Sequence, residues 1–217
     1  MKICISDATA TKDHETFIIT RKAGFRVLNS SIGVNGFKNV KSIINYFQGP
    51  LDESTPPDPE LLPKTVQKIE VSRPTSTILS RDMDKMVDVT ENNVTAFVTA
   101  DYMKDNPNLS TSIVVLLDED LNNKTLLNLF KSASDAKLAA LWDLGVLNCF
   151  SLDPLDCSRD DSILVACRGE TKDKNLQCEV ELYQKVSKCV REATVKSLKK
   201  QGFPKDVLGF MEDVGVS

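Results

Sequence analysis

Apolar and β-branched residues recur along the chain in short blocks, and the period of each block predicts an element. Residues 16–20 and 25–29 are rich in β-branched and aromatic side chains. The link Lys22-Ala23-Gly24 between them is turn-sized and ends in glycine, so the two blocks are expected to form a β-hairpin. A loop signal carried by Gly33, Asn35 and Gly36 ends where Val40, Ile43, Ile44 and Phe47 fall at helical spacing, which predicts a short helix over residues 38–47. Residues 49–63 hold Gly49, Pro50, Pro56, Pro57, Pro59 and Pro63 among several acids, the composition of an irregular surface connection or, functionally, a lid.

Further along, blocks 94–99 and 111–117 are short, apolar and β-branched, and both read as central strands covered on two faces. From Asn122 the period changes. Leu126, Leu127, Phe130, Ala133, Lys137, Ala140, Leu141 and Leu144 fall at helical spacing, with Asn122 placed to cap the start and Gly145 to stop it. Residues 162–166 read as another buried strand and residues 180–198 as a long amphipathic helix; one more short helix is expected over 204–214. Strands alternate with long helices in the second half while the first half favours hairpins. The expected fold is therefore α/β (α+β): a mixed sheet with an N-terminal hairpin and long helices packed on it, in a single domain over residues 1–217.

Composition narrows the function classes. The chain has 217 residues, 41% hydrophobic and 27% charged, with a formal charge of −4. Lys and Arg are interleaved with acids, so no face is expected to meet nucleic acid. The longest apolar runs, such as residues 113–117, are too short to cross a bilayer, and residues 1–6 do not open a signal peptide; no membrane partner and a cytoplasmic location are expected. Cys4, Cys149, Cys157, Cys167, Cys178 and Cys189 are irregularly spaced and read as free thiols. The single histidine, His14, sits in a polar stretch, and no metal site is expected.

Three blocks carry a family resemblance. The first is Arg26-Val27-Leu28-Asn29-Ser30-Ser31, then Asn35-Gly36 and a segment containing Asn45. The second runs through Ile78-Leu79-Ser80 and Asp82-Met83-Asp84 to a strand ending at Thr99. The third, and most specific, is the strand of residues 110–117 followed by Ser132-Ala133-Ser134-Asp135-Ala136-Lys137-Leu138-Ala139-Ala140-Leu141 and Leu144-Gly145-Val146. Together they resemble the adenosylcobinamide amidohydrolase family of archaea and some bacteria. The resemblance implies an amide hydrolase that removes the aminopropanol arm of adenosylcobinamide to give adenosylcobyric acid in corrinoid (cobalamin) salvage. The cobalt-containing corrinoid would be the small-molecule substrate, with no further cofactor required; the oligomeric state stays open. Two segments depart from the family's pattern: residues 156–162 replace a glycine- and threonine-rich turn, and residues 178–185 lack a histidine. Those departures define the alternative, a paralogue that binds a corrinoid or another cofactor without cleaving it.

Amide hydrolysis needs a nucleophile or activated water, a base, and donors for the developing oxyanion. The catalytic candidates are Ser30, Ser31, Asp135, Lys137 and Asp161. Ser30 and Ser31, like Ser80, stand at a strand end, where serine also serves simply as a turn former. Asp135 and Lys137 are two apart on one helix and cannot share a face. Lys137 lies in the apolar stripe, so its ammonium must either reach the surface or meet an acid or ligand. Asp161 is implied by the resemblance, although Asp160 and Asp161 also suit a solvated turn. Substrate-binding candidates are Asn35, Gly36, Asn45, Ser80, Asp82, Thr99 and Ser132, with Asn35-Gly36 equally able to form a tight turn. Trp142 is expected to pack in the core or at its edge. The helix pair Asp135 and Lys137 and the bend at Ser30 are expected to converge on one polar hollow.

Overall fold

In a computed structural model the described residues are 3–14, 16–30, 36–47, 75–80, 83–102, 109–144, 162–171 and 176–200. They form eight strands and two long helices: β1 (Ala8–Lys12), β2 (Thr16–Asn29), β3 (Gly36–Phe47), β4 (Thr75–Ser80), β5 (Val87–Glu91), β6 (Val94–Tyr102), β7 (Leu109–Asp120), α1 (Asn123–Asp143), β8 (Ser162–Gly169) and α2 (Leu176–Lys200). A single 3₁₀ turn, Met83–Lys85, precedes β5. The strands run in the order β4-β3-β2-β8-β7-β6-β5, with β1 beside β2. β7 and β8 are parallel, as are β3 and β4; the other pairs are antiparallel. The expected mixed sheet with long helices packed on it is the fold observed.

β6, β7 and β8 carry continuous apolar runs because both of their faces are covered. One set of alternate residues, including Val98, Ile113, Val115, Leu117 and Val165, packs under Leu126, Leu129 and Ala133 of α1 and Val186, Val190 and Ala193 of α2. The opposite set, Phe97, Val114, Leu116, Leu164 and Ala166, packs against Phe17, Ile19, Phe25, Val27, Val40 and Ile43. The second cluster exists because the sheet doubles back on itself. β2 shifts register between Thr20 and Phe25, and beyond that bend β1, the first half of β2, the second half of β3 and β4 lie as a leaf over the inner face of β6–β8. Phe17 on the leaf meets Phe97 on β6 with ring centroids 4.7 Å apart, and the Cys4 N–H donates to Thr95 Oγ1 at 2.9 Å.

Three expectations are corrected. Residues 16–29 form one continuous strand, not a hairpin: Gly24, with φ +86, marks a bulge, and a Cβ there would stand 2.9 Å from the Val40 carbonyl oxygen. The hairpin turn lies earlier, where the Thr16 N–H donates to Asp13 Oδ1 at 2.6 Å and the Asp13 N–H to the Thr16 carbonyl at 2.9 Å. Residues 38–47 are a strand instead of a helix. Val40 and Ile43 face the inner core while Ile44 packs with Ile18 and Tyr46 on the other side, so the apolar positions serve two faces of a strand rather than one stripe of a helix. Trp142, expected to pack in the core or at its edge, is 60% exposed and stands outside the core.

The N-terminus of α1 is as expected: Asn122 has extended backbone, and its Oδ1 accepts the Thr125 N–H at 2.8 Å. The lid or loop at 49–63, the stop at Gly145, the helix at 204–214 and Cys149, Cys157 and Cys178 lie outside the residues whose surroundings are described. Cys4, Cys167 and Cys189 are free thiols. No described helix is long and apolar enough to cross a membrane.

Candidate functional site

Central strands of an otherwise apolar face open with small polar residues, and the register aligns them. Ser112 on β7 pairs with Thr99 on β6 and with Ser162 on β8. All three point to the inner face, two residues before or after Val114, Phe97 and Leu164. Asn29 on β2, paired with Leu164, points to the same face. Each is buried, between 2% and 6% exposed. β2 ends, β3 begins, β6 ends, and β7 and β8 begin at this edge of the sheet.

Asn45 reaches the row from the overlying leaf. Its Nδ2 donates to Ser112 Oγ at 3.0 Å. Its Oδ1, fully buried, accepts no hydrogen bond from the described residues. An unsatisfied buried amide oxygen costs about 1–3 kcal/mol, so Oδ1 is an acceptor open to a donor. Two of the residues expected to bind substrate, Asn45 and Thr99, therefore belong to one constellation with Ser112 and Ser162.

The remaining candidates lie elsewhere. Ser30 sits on the helix-covered face, where its Oγ accepts the Ile163 N–H at 3.1 Å and its own N–H donates to the Ile163 carbonyl at 3.0 Å, extending the β2–β8 ladder by one residue. Gly36 opens β3 opposite Asn29 with φ +101. Lys137 is 5% exposed on the buried side of α1 and engaged there, so its ammonium does not run out to solvent. Asp135 is exposed and lines a groove of about 840 Å³ between α1 and α2, beside the bidentate pair of Arg191 and Asp143 at 2.6 and 2.7 Å. Ser132 is partly exposed on the same helix. The expected convergence of Asp135, Lys137 and Ser30 is not what the described residues form: Asp135 and Lys137 point to different sides of α1, as their spacing requires. Ser31, Asn35, Asp82, Asp161 and the side chain of Ser80 lie outside the described residues; the backbone of Ser80 pairs with Phe47, two residues past the Asn45–Ile78 pair.

Sequence reasoning missed Asn29, Ser112 and Ser162 as members of a site. The available signal was positional: hydroxyl residues open two adjacent apolar strands, and the 110–117 and 162–166 blocks both carry it.

Thiol chemistry is disfavoured among the described residues. Burial pushes the Cys167 and Cys189 thiols up to about 11, and burial raises Cys4, whose Sγ donates to the Leu116 carbonyl at 3.4 Å. A thiol held protonated is a poor nucleophile at neutral pH. Among the described residues no group of His, Cys, Asp and Glu is gathered to hold a metal ion.

The fold is similar to that of a solved Burkholderia sp. beta-aminopeptidase, with a TM-score of 0.55 at 11% identity over 98% of this chain and 93% of that one. At that identity the likeness is one of fold. No protein-family model matches the chain, and no curated protein matches it.

Proposed function

We propose that this chain hydrolyses an amide, and that the substrate is the corrinoid adenosylcobinamide, cleaved to adenosylcobyric acid and aminopropanol. The observation that carries the reading is the row of buried hydroxyls, Thr99, Ser112 and Ser162, beneath Asn45 at an edge where five strands begin or end. Such a row offers donors to a polarised carbonyl in a site shielded from water. A fold shared with a protein named a beta-aminopeptidase is compatible with amide chemistry, and the corrinoid substrate comes from the sequence resemblance. In the reaction water adds across the C–N bond: the acyl carbon gains the oxygen and the departing amine takes a proton. Asp161, joined directly to Ser162, is the proposed base. Ser31 and Asn35, neighbours in sequence of Ser30 and Gly36, are the proposed hydroxyl and oxyanion donor.

One observation favours the second reading, binding without cleavage: residues 178–185 hold no histidine, where the family that the sequence resembles has one. Incubation with adenosylcobinamide, following free aminopropanol and corrinoid absorbance together, separates the two. Aminopropanol released by the wild type but not by Asp161→Asn supports hydrolysis. An absorbance change without aminopropanol supports binding alone, and neither signal sinks both.

A further inference from the structure

We infer that Asn45 and Ser112 form a subsite for a primary carboxamide. The choice of a corrinoid side arm as its physiological occupant rests on the reading above, since a corrin ring carries such carboxamides around its rim; the chemical preference of the subsite does not.

An asparagine amide has two protons to give and one oxygen to receive with, and a serine hydroxyl gives one proton and receives. Asn45 Nδ2 gives a proton to Ser112 Oγ. That leaves Asn45 with its second Nδ2 proton and Ser112 with its own to donate, and Asn45 Oδ1 with no donor among the described residues. The pair thus presents one amide acceptor with a donor beside it, the second Nδ2 proton or the Ser112 hydroxyl. Rotating the Asn45 amide by 180° exchanges the two roles and leaves the same complement. A link needed only to tie β3 to β7 has no use for a second, unsatisfied atom at 2% exposure.

The complement of an adjacent acceptor and donor is a group with N–H and C=O on one edge. A primary carboxamide has this edge, because one of its two N–H bonds lies on the same side as its carbonyl. A trans secondary amide does not: its N–H and C=O point in opposite directions, so it satisfies one partner and strands the other. A carboxylate brings two acceptors and no donor, and sets a negative charge against Oδ1. The subsite therefore does not hold the secondary amide to be cleaved; it reads another part of the same ligand. Ser112 lies three residues from the start of β7 at Leu109, about 10 Å from the strand-end edge at the usual rise of a strand. Thr99 and Ser162 flank it in register, and Phe97, Val114 and Leu164 form the apolar floor beyond.

The test is a titration of the isotopically labelled full chain with propionamide, N-methylpropionamide and propionate, read by NMR at the backbone amides of β3 and β7. Propionamide is expected to give saturable shifts around Asn45 and Ser112, with the other two at least about ten-fold weaker, as one stranded buried partner requires. Asn45→Asp and Ser112→Ala should each weaken propionamide to a similar degree; if either fails to fold, the comparison of ligands on the wild type decides alone. Shifts that do not saturate, or an equal response to N-methylpropionamide, would overturn the subsite. Failure of the hydrolase reading looks different: carboxamide discrimination persists while adenosylcobinamide yields no aminopropanol.

Discussion

Asn45 on β3 and Ser112 on β7 are 67 residues apart in sequence and joined at 3.0 Å, by a side-chain bond that links the overlying leaf to the central sheet. Because one amide atom of the pair has no partner among the described residues, the bond is a poor device for stability alone.

Double substitution exposes this. Ser112→Ala leaves the whole Asn45 amide buried and unpaired and should cost about 1–3 kcal/mol. Replacing both partners by apolar groups, Asn45→Leu with Ser112→Ala, removes the unsatisfied atoms and should recover most of that loss. Urea denaturation midpoints of the wild type, the two single variants and the double variant measure it. A double variant as destabilised as the sum of the singles would show that the two side chains are not coupled.

The two glycines with positive φ should separate in their tolerance of a methyl group. At Gly24 an added Cβ meets the Val40 carbonyl oxygen at 2.9 Å, whereas at Gly36 nothing stands within 4 Å. Both substitutions force an L-residue to positive φ, at roughly 1 kcal/mol, but Gly24→Ala must also push backbone from backbone at the bend of β2. Gly24→Ala is therefore expected to be the more destabilising of the two in thermal unfolding, and equal losses would mean that the bend relaxes without strain.

The same glycine explains where the sequence misleads. Lys22-Ala23-Gly24 has the length and ending of a hairpin turn, yet the strand bends there at a bulge without reversing, because close approach to Val40 and reversal of direction both call for glycine. At residues 38–47 the spacing of Val40, Ile43, Ile44 and Phe47 fits a helix, and only tertiary covering of both faces decides for a strand. Elements with one covered face, such as the helix starting at Asn122, or with long apolar runs, such as residues 94–99 and 111–117, were legible because their period does not depend on distant partners. The site was half legible. Asn45 and Thr99 came from the resemblance, but that Ser112 and Ser162 stand beside them depends on strand order, which local pattern does not carry. Asp135 illustrates the reverse: its spacing from Lys137 already forbade a shared face, and the structure turns it to the groove between α1 and α2.

Capping gives a local test of α1. Asn122 Oδ1 accepts both the Thr125 N–H at 2.8 Å and the Thr125 hydroxyl at 3.0 Å. Asn122→Ala should lose about 1 kcal/mol, and Asn122→Asp should retain or add stability, since a carboxylate keeps the acceptor and favours the positive end of the helix. Guanidinium unfolding of the three proteins checks the order; an alanine variant as stable as the wild type would show that the cap contributes nothing to α1.

Buried thiols should set the alkaline limit of stability. Burial lifts Cys167 from an ordinary value of 9.0 to about 11, and its Sγ donates to the Gly169 carbonyl at 3.3 Å. Below pH 9 the thiol is protonated in both folded and unfolded chains and adds no pH dependence. Between pH 9 and about 11 the unfolded chain releases the proton while the folded chain keeps it, so stability falls as pH rises. A difference of this size amounts to about 3 kcal/mol across the window, at roughly 1.4 kcal/mol per pH unit at its steepest. Tyrosines and lysines also titrate there, so the measurement is the difference in slope between wild type and Cys167→Ala, followed by urea unfolding from pH 8 to 11. The variant starts lower because it opens a small cavity, but it should lose stability less steeply with rising pH, and the two curves should draw together by pH 11. Parallel curves throughout would mean that the folded thiol ionises as readily as the unfolded one.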